Sequence, residues 1–339
     1  MILHVMGLDK FIQPFINFTK ENFDNTNKHI FFVISRNFEK YDLDKKNQDI
    51  KIIPSLISMN VLSLFISFYK SDKIIIHGLF YKFIVLFLFL QPWLLKKCYW
   101  VMWGGDFYNP EKQTFFKKQV IKKMGHFITY IKGDYELAQK WYGANGKYHE
   151  CFMYPSNLYK EYDVKEKSSG TINIQVGNSA DASNNHLEVL DKLTKYKNEN
   201  IKIFVPLSYG DEKYASEIIA KGKEIFGDSF IALTEFMPFD KYLDFLGDID
   251  IAIFAHKRQQ AMGNTITLLG LGKKVYMRND VTPWKLFNDT DIKVFDVENI
   301  DIDVIMEETK VDNKRKIKEY FSEENYLKQL NNLFKDSHK

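Results

Sequence analysis

Cysteine is nearly absent from this 339-residue chain. Cys98 and Cys151 stand far apart with no CxxC spacing, which argues against a disulfide scaffold or a zinc site and suits a reducing cytosol. A charge excess is missing too: Lys and Arg number 47 against 44 Asp and Glu, a formal +3. That is too small for a polyanion such as nucleic acid to be the principal ligand. No hydrophobic run reaches the ~20 residues of a membrane-spanning helix. The most apolar stretch, Leu79 to Leu95, is interrupted by Lys82 and by Gln91-Pro92, leaving Phe83 to Leu90 uninterrupted. Residues Met1 to Gly7 lack the basic region, long apolar segment and cleavage site of a leader, and read as a first strand. No GxGxxG dinucleotide fingerprint follows a strand, and no Asp-x-Asp motif sits in a loop suited to a nucleotide-bound metal.

What the chain does contain is a repeated alternation of short apolar runs with longer helical ones. In the first half the runs are Ile2 to Met6, His29 to Ile34, Ile50 to Ile53, Lys73 to His77, Tyr99 to Trp103 and Phe127 to Ile131. Segments of helical character lie between them, which predicts a parallel sheet covered on both faces. A very polar stretch from Lys160 to Gly170 interrupts the pattern. It then restarts at Ile172 to Val176, Ile201 to Val205, Phe230 to Leu233, Ile249 to Phe254, Lys274 to Met277 and Ile292 to Phe295. The fold class is therefore α/β, with two doubly wound, Rossmann-like parallel-sheet domains. The expected layout is residues 1–158, a linker over 159–170, residues 171–320, and a terminal helix within 321–339 that packs back on the first domain. Chain length agrees, being about twice that of a typical single-core domain.

Ligands of such sheets bind beyond the carboxyl ends of the strands. The most informative stretch is Ile249 to Met277, where a buried strand runs through His256, Lys257, Arg258, Gln259 and Gln260 into Gly263-Asn264-Thr265 at a helix start. Free amides at a helix start carry partial positive charge, and an arginine fork can clamp phosphate oxygens. This predicts a diphosphate site. Gly177-Asn178-Ser179, after the first strand of the second half, predicts a tight turn whose amides and hydroxyl hold an anion. Ser208 and Tyr209 follow the next strand, and Glu235 follows the third, where it is a candidate partner for ribose or base.

In the first half, Val101 to Phe107 ends a strand in Gly104-Gly105-Asp106. A carboxylate at the open sheet edge is what a general base for a hydroxyl requires. Gly7, Asp9 and His77 follow other strands and are expected along the same edge. The helix carrying Phe116, Val120 and Met124 beside Lys117, Lys118, Lys122 and Lys123 has the pattern of a core helix and equally that of a helix resting on an anionic bilayer.

The segments LHVMGLD, VMWGGDFY, VGNSADASNNH, VPLSYGD, RQQAMGNTITLLGLGKKVYMRND with Trp284 beyond it, and YFSEENYLKQL together resemble the bacterial TDP-N-acetylfucosamine:lipid II N-acetylfucosaminyltransferases of enterobacterial common antigen synthesis. That family is also called the 4-alpha-L-fucosyltransferases. The resemblance implies a GT-B glycosyltransferase with two facing Rossmann-like domains, a TDP-sugar donor, a polyprenyl-diphosphate-linked saccharide acceptor and peripheral attachment to the anionic cytoplasmic face of the inner membrane. It assigns Gly177, Asn178, Ser179, Ser208, Tyr209, Glu235, Arg258, Gln259, Gln260, Gly263 and Asn264 to the donor, and Asp106 and Asp9 to the acceptor side. With phosphate held by protein groups, metal independence and no cofactor are expected. A sugar-nucleotide epimerase of the same architecture and a non-catalytic saccharide- or lipid-binding protein are the competing readings.

Overall fold

The computed structural model describes residues 1–23, 27–37, 41, 43–162, 164, 167 and 170–335. Of the expected linker 159–170, residues 163, 165, 166, 168 and 169 lie outside the described residues, as do residues 336–339. The chain divides into two compact units. One comprises residues 1–158 with the terminal helix Glu323–Lys335, and the other is Tyr159–Ser322.

The first unit holds β1 (Ile2–Gly7), α1 (Ile12–Phe23), β2 (His29–Ile34), β3 (Ile50–Ile53), α2 (Met59–Lys70), β4 (Lys73–His77) and α3 (Lys82–Leu90). Then follow β5 (Cys98–Val101), α4 (Phe115–Lys123), β6 (His126–Ile128), α5 (Lys132–Tyr142) and β7 (Lys147–His149). Its seven strands pair in parallel in the order β3-β2-β1-β4-β5-β6-β7. Strands such as β4 are buried along their whole length because helices cover both faces, which is why they read as continuous apolar runs. Val85, Leu88, Trp100, Val120 and Phe127 form one core with the sheet, each large apolar side chain contributing roughly 1.5–3 kcal/mol on burial. Helix α3 stops at Gln91-Pro92, where proline cannot extend it, and a 3₁₀ turn carries the chain into β5.

The second unit holds β8 (Ile172–Val176), α6 (His186–Leu193), β9 (Ile201–Pro206), α7 (Glu212–Phe226), β10 (Phe230–Leu233), α8 (Phe239–Asp248) and β11 (Ile251–Phe254). It continues with α9 (Met262–Gly270), β12 (Lys274–Met277), α10 (Thr282–Asp289), β13 (Phe295–Asp296) and α11 (Glu307–Tyr320). Its strand order, β10-β9-β8-β11-β12-β13, reverses at the junction of β8 and β11. All pairs are parallel, and Ile253 lies beside Val176. The loops after β8 and β11 therefore leave the same edge side by side, where doubly wound sheets bind ligands.

Two elements escape the hydrophobic pattern. β7 is a short edge strand, and α11 (EETKVDNKRKIKEY) buries only Asn313 and Ile317. Helix α11 is instead laced by Arg315 with Asp312 and Glu319, Lys316 with Asp312, and Lys310 with Glu307. The final helix, α12 (Glu323–Lys335), docks on the first unit: the Tyr326 hydroxyl donates to the Met153 carbonyl at 2.8 Å, and Gln329 Oε1 accepts from the Phe152 amide at 3.0 Å.

Candidate active site

At the β8–β11 edge, Asn184 is the hub. It is fully buried, and its Oδ1 accepts from the Asn178 amide at 2.9 Å and from His256 Nε2 at 2.8 Å. Its Nδ2 donates to the Asp181 carbonyl at 2.9 Å and to Ser179 Oγ at 3.3 Å. His256 must offer Nε2–H to that oxygen, and burial, followed by the charge of Arg258, holds its pKa down to about 3, so the ring is neutral at pH 7. Two further bonds join the loops: Asn185 Nδ2 to the Ala255 carbonyl at 2.7 Å, and Ser183 Oγ to Gln260 Oε1 at 2.8 Å. The β9 loop joins through Tyr209, whose hydroxyl accepts from Asn178 Nδ2 at 3.2 Å and whose carbonyl accepts from the Ala180 amide at 2.8 Å.

Gly177 is required by this packing. Its φ is +68°, and a Cβ there would come 2.3 Å from His186 Nε2 and 2.8 Å from Asn184 Oδ1. The expected use of this turn's amides for an anion needs correction. The Gly177 N–H is spent on the Ile253 carbonyl at 3.0 Å and that of Asn178 on Asn184. These two amides of the turn face inward and hold it in place.

The helix start after β11 is different. Ala261 adopts a left-handed φ of +56°, no side chain caps α9, and the first helical bond is from the Thr265 amide to the Ala261 carbonyl. The amides of Met262, Gly263 and Asn264 are thus left for a ligand. Arg258 is half-buried, it donates to the Gln259 carbonyl at 3.3 Å, and among the described residues no carboxylate forms an ion pair with it. Gln259 Oε1 and Asn178 Oδ1 are buried without partners among the described residues. Tyr242, on α8, stands by Asn264. Sequence reasoning missed Tyr242 and the joining roles of Asn184 and His256. The structure brings Gly177, Asn178, Ser179, Tyr209 and Gln260 into one hydrogen-bonded cluster. Ser208 is next to Tyr209 in that loop, whereas Glu235 is exposed after the edge strand β10 and bonds to none of these groups.

In the first unit the sheet order reverses between β1 and β4, and Gly7, Asp9 and His77 lie at or just beyond the carboxyl ends of those strands. Asp9 is half-buried, with one oxygen accepting from the Lys10 amide at 2.6 Å. Gly104 has a φ of +77° and Gly105 faces open space. Asp106 is not the open carboxylate the sequence suggested. It is buried, its Oδ2 accepts from the Leu79 amide at 2.9 Å and Trp100 Nε1 at 2.7 Å, and its Oδ1 accepts from the Trp103 amide at 3.1 Å. Burial raises its pKa against the opposing pull of those donors. Its geometry is that of a clamp joining two chain segments, the turn after β4 and the end of β5 with the turn that follows. His77 likewise turns inward, its Nδ1 2.7 Å from the Tyr154 hydroxyl and its Nε2 3.1 Å from His4 Nδ1, so it does not line the edge.

Two Rossmann-like parallel sheets in one chain are the arrangement of the GT-B fold, and solved structures agree. A glycosyltransferase from Rickettsia africae superposes with a TM-score of 0.66 at 16% identity, covering 99% of this chain and 97% of that one. WaaG, a glycosyltransferase involved in lipopolysaccharide biosynthesis, gives 0.60 at 9% identity over 99% and 100%. A trehalose-6-phosphate protein of E. coli bound with UDP-2-fluoro glucose gives 0.64 at 9% identity over 99% and 98%. These likenesses carry the fold. The chain belongs to the 4-alpha-L-fucosyltransferase family, glycosyl transferase group 56, whose model matches residues 1–339. It is a hexosyltransferase, which sets the epimerase and binding-protein readings aside.

Among the described residues, no three His, Cys, Asp or Glu side chains group to hold a metal ion, and no helix is long and apolar enough to cross a membrane.

Proposed function

We propose that this enzyme transfers a deoxy or acetamido sugar, such as 4-acetamido-4,6-dideoxygalactose, from a TDP-sugar to a polyprenyl-diphosphate-linked saccharide. The setting we infer is bacterial surface polysaccharide synthesis, of the enterobacterial common antigen kind. The observation that carries the donor half is the pairing of an uncapped α9 start with an arginine that, among the described residues, forms no ion pair, although it feels the charge of Asp181. As the bond from the anomeric carbon to diphosphate breaks, negative charge grows on the leaving oxygens. The α9 amides and Arg258 stabilise that charge, the largest electrostatic task of the reaction. In this role they substitute for a metal ion. Gln259, Gln260, Ser179, Ser208 and Tyr209 shape the rest of the donor pocket. That the E. coli neighbour is bound with UDP-2-fluoro glucose supports a nucleotide-sugar donor.

The acceptor falls to the first unit, where Gly105 leaves room at the sheet edge, Gly104 turns the chain with a φ of +77° and Gly7 admits the Tyr81 hydroxyl. With Asp106 committed to three donors, Asp9 is the carboxylate placed to receive the acceptor's hydroxyl proton. Asp106 acts from behind, holding Trp103 and the Gly104-Gly105 turn.

Association with the cytoplasmic face of the inner membrane is supported by the outer surface of the first unit. Met59, Leu62, Ile66 and Tyr69 form an exposed stripe on α2 at helical spacing. Leu86 and Leu90 continue it on α3, and Phe115 and Phe116 on α4, whose rings meet Phe89 of α3. Lys70, Lys82, Lys122 and Lys123 are exposed on the same helices, and Lys96 on the 3₁₀ turn after α3, matching an anionic lipid surface.

The experiment is a donor screen: TDP- and UDP-sugars incubated with enzyme, with and without a lipid-diphosphate saccharide, scoring nucleotide release and product mass. Release that needs both a TDP-sugar and the lipid-linked acceptor is expected. Turnover with UDP-sugars alone, or with a free saccharide in place of the lipid-linked one, would refute the donor or the acceptor assignment respectively.

A further inference from the structure

Behind the acceptor edge, three histidines from adjacent strands form one hydrogen-bonded row. His29 opens β2, His4 lies within β1 and His77 ends β4, and all three are buried. His29 Nδ1 is 2.9 Å from His4 Nε2, His4 Nδ1 is 3.1 Å from His77 Nε2, and His77 Nδ1 is 2.7 Å from the Tyr154 hydroxyl. Trp103 Nε1 reaches the same hydroxyl at 3.2 Å. The row runs from the amino end of the sheet to its carboxyl edge.

Burial keeps each ring neutral: His77 falls to about 3, His29 to about 4 and His4 well below its ordinary value. A neutral imidazole has one donor and one acceptor nitrogen, so every link in the row must point the same way. The free end decides which way. His29 Nε2 is buried with no partner among the described residues, and the Phe334 ring lies against the imidazole at 4.7 Å. An orphaned buried N–H is rarer than an under-used acceptor. The charges agree, because the Met1 amino group and Lys73 act on His29 more strongly than Asp49 opposes them, and cations favour a bare lone pair. His29 therefore carries its hydrogen on Nδ1, as do His4 and His77 in turn. The Tyr154 oxygen then accepts twice, from His77 and from the indole of Trp103, which can only donate. Its own hydrogen is left unclaimed beside the β1 loop, where Asp9 is felt electrostatically.

We propose that the His29–His4–His77 row fixes Tyr154 as a hydrogen-bond donor to a lone-pair oxygen of the acceptor substrate, either of its saccharide or of its diphosphate. Tyr154 is thereby a binding residue and the histidines are positioning residues. This rests on the acceptor site being in the first unit, but its physical core can be read without any substrate.

The test has two arms. In the full-length protein labelled with ¹⁵N-histidine, two-bond ¹⁵N–¹H spectra, assigned by His→Asn variants, are expected to show Nδ1–H tautomers at His29, His4 and His77. An Nε2–H tautomer at His77 would overturn the proposal whatever the enzyme's substrate. In transfer assays, Tyr154→Phe should raise acceptor KM about tenfold while donor KM stays constant. His77→Leu should do the same, and His77→Gln, which retains a donor toward Tyr154, should recover part of the loss. Comparing a polyprenyl-diphosphate saccharide with the same saccharide lacking the diphosphate shows which oxygen is touched, since Tyr154→Phe then weakens both substrates or only the first. An unchanged acceptor KM in Tyr154→Phe refutes the role of Tyr154, whereas absence of transfer by the wild type would refute the function and leave the tautomer result standing.

Discussion

One oxygen of Asn184 is shared by the Asn178 amide of its own loop and His256 Nε2 of the loop after β11, at 2.9 and 2.8 Å. Two loops some 70 residues apart in the chain are thereby set in a single geometry before any nucleotide arrives. Preorganisation of this kind lets binding energy go to the substrate rather than to ordering the site. Asn184→Ala leaves two buried donors without an acceptor, each costing about 1–3 kcal/mol. A lower urea midpoint together with weaker TDP binding is expected by calorimetry. Undiminished nucleotide affinity would mean that the loops hold their positions without it.

Arg258→Ala should remove leaving-group stabilisation without unfolding the protein. A kcat loss of about 10²–10³ is expected, by analogy with deletion of one preorganised donor to a developing anion. Circular dichroism should be unchanged. A folded variant with near-normal turnover would clear Arg258 of the role.

Gly177→Ala tests the turn after β8. A side chain at φ +68° is strained by about 1–2 kcal/mol, and the new methyl collides with His186 and Asn184. Donor KM should rise and thermal stability fall together. If only stability changed, the turn would be a scaffold with no bearing on the donor.

Acid should loosen both units. His77 and His256 lie at about 3 and His29 and His186 at about 4, against an ordinary value of 6.5, because burial opposes their protonation. The unfolded chain takes up these protons below about pH 6.5 and the folded chain does not, so their stabilising effect is complete above that pH and is lost as the pH falls toward 3–4. Each contributes a slope of at most about 1.4 kcal/mol per pH unit in that window. Urea unfolding at pH 7.5 and pH 5 measures it, and equal stabilities would show that these rings titrate alike in the folded and unfolded chain.

For the exposed apolar stripe proposed to face lipid, replacing Met59, Leu62 and Leu90 with Ser should lower binding to vesicles containing anionic lipid several-fold while leaving turnover on a short-chain soluble acceptor intact. Changing Lys82, Lys96, Lys122 and Lys123 to Gln should weaken the same binding and reduce its salt dependence. Retention of full binding in both variants would assign the stripe to another partner.

The strands were legible because doubly covered parallel strands are continuous apolar runs, and their carboxyl ends pointed to the loops after β8, β9 and β11 that the structure joins by hydrogen bonds. Hydrophobic pattern is blind to what a polar side chain does after folding. Asp106 is separated by only six residues from Trp100, yet nothing in that spacing says the indole will swing back to bind it. The histidine row joins positions 4, 29 and 77, neighbours only once β2, β1 and β4 pair. Helix α11 went unseen because charge pairs, rather than an apolar stripe, mark its surface.

The last helix in sequence completes the first unit in space. Lys73 of β4 donates to the Leu333 carbonyl, and Tyr326, Leu330 and Phe334 are buried in that docking. During synthesis, the ribosome releases the contiguous second unit while the first still lacks its closing piece. The amino-terminal unit, although translated first, is therefore finished after the second, and a stop codon placed between Ser322 and Tyr326 injures the first unit rather than the second, which it follows directly.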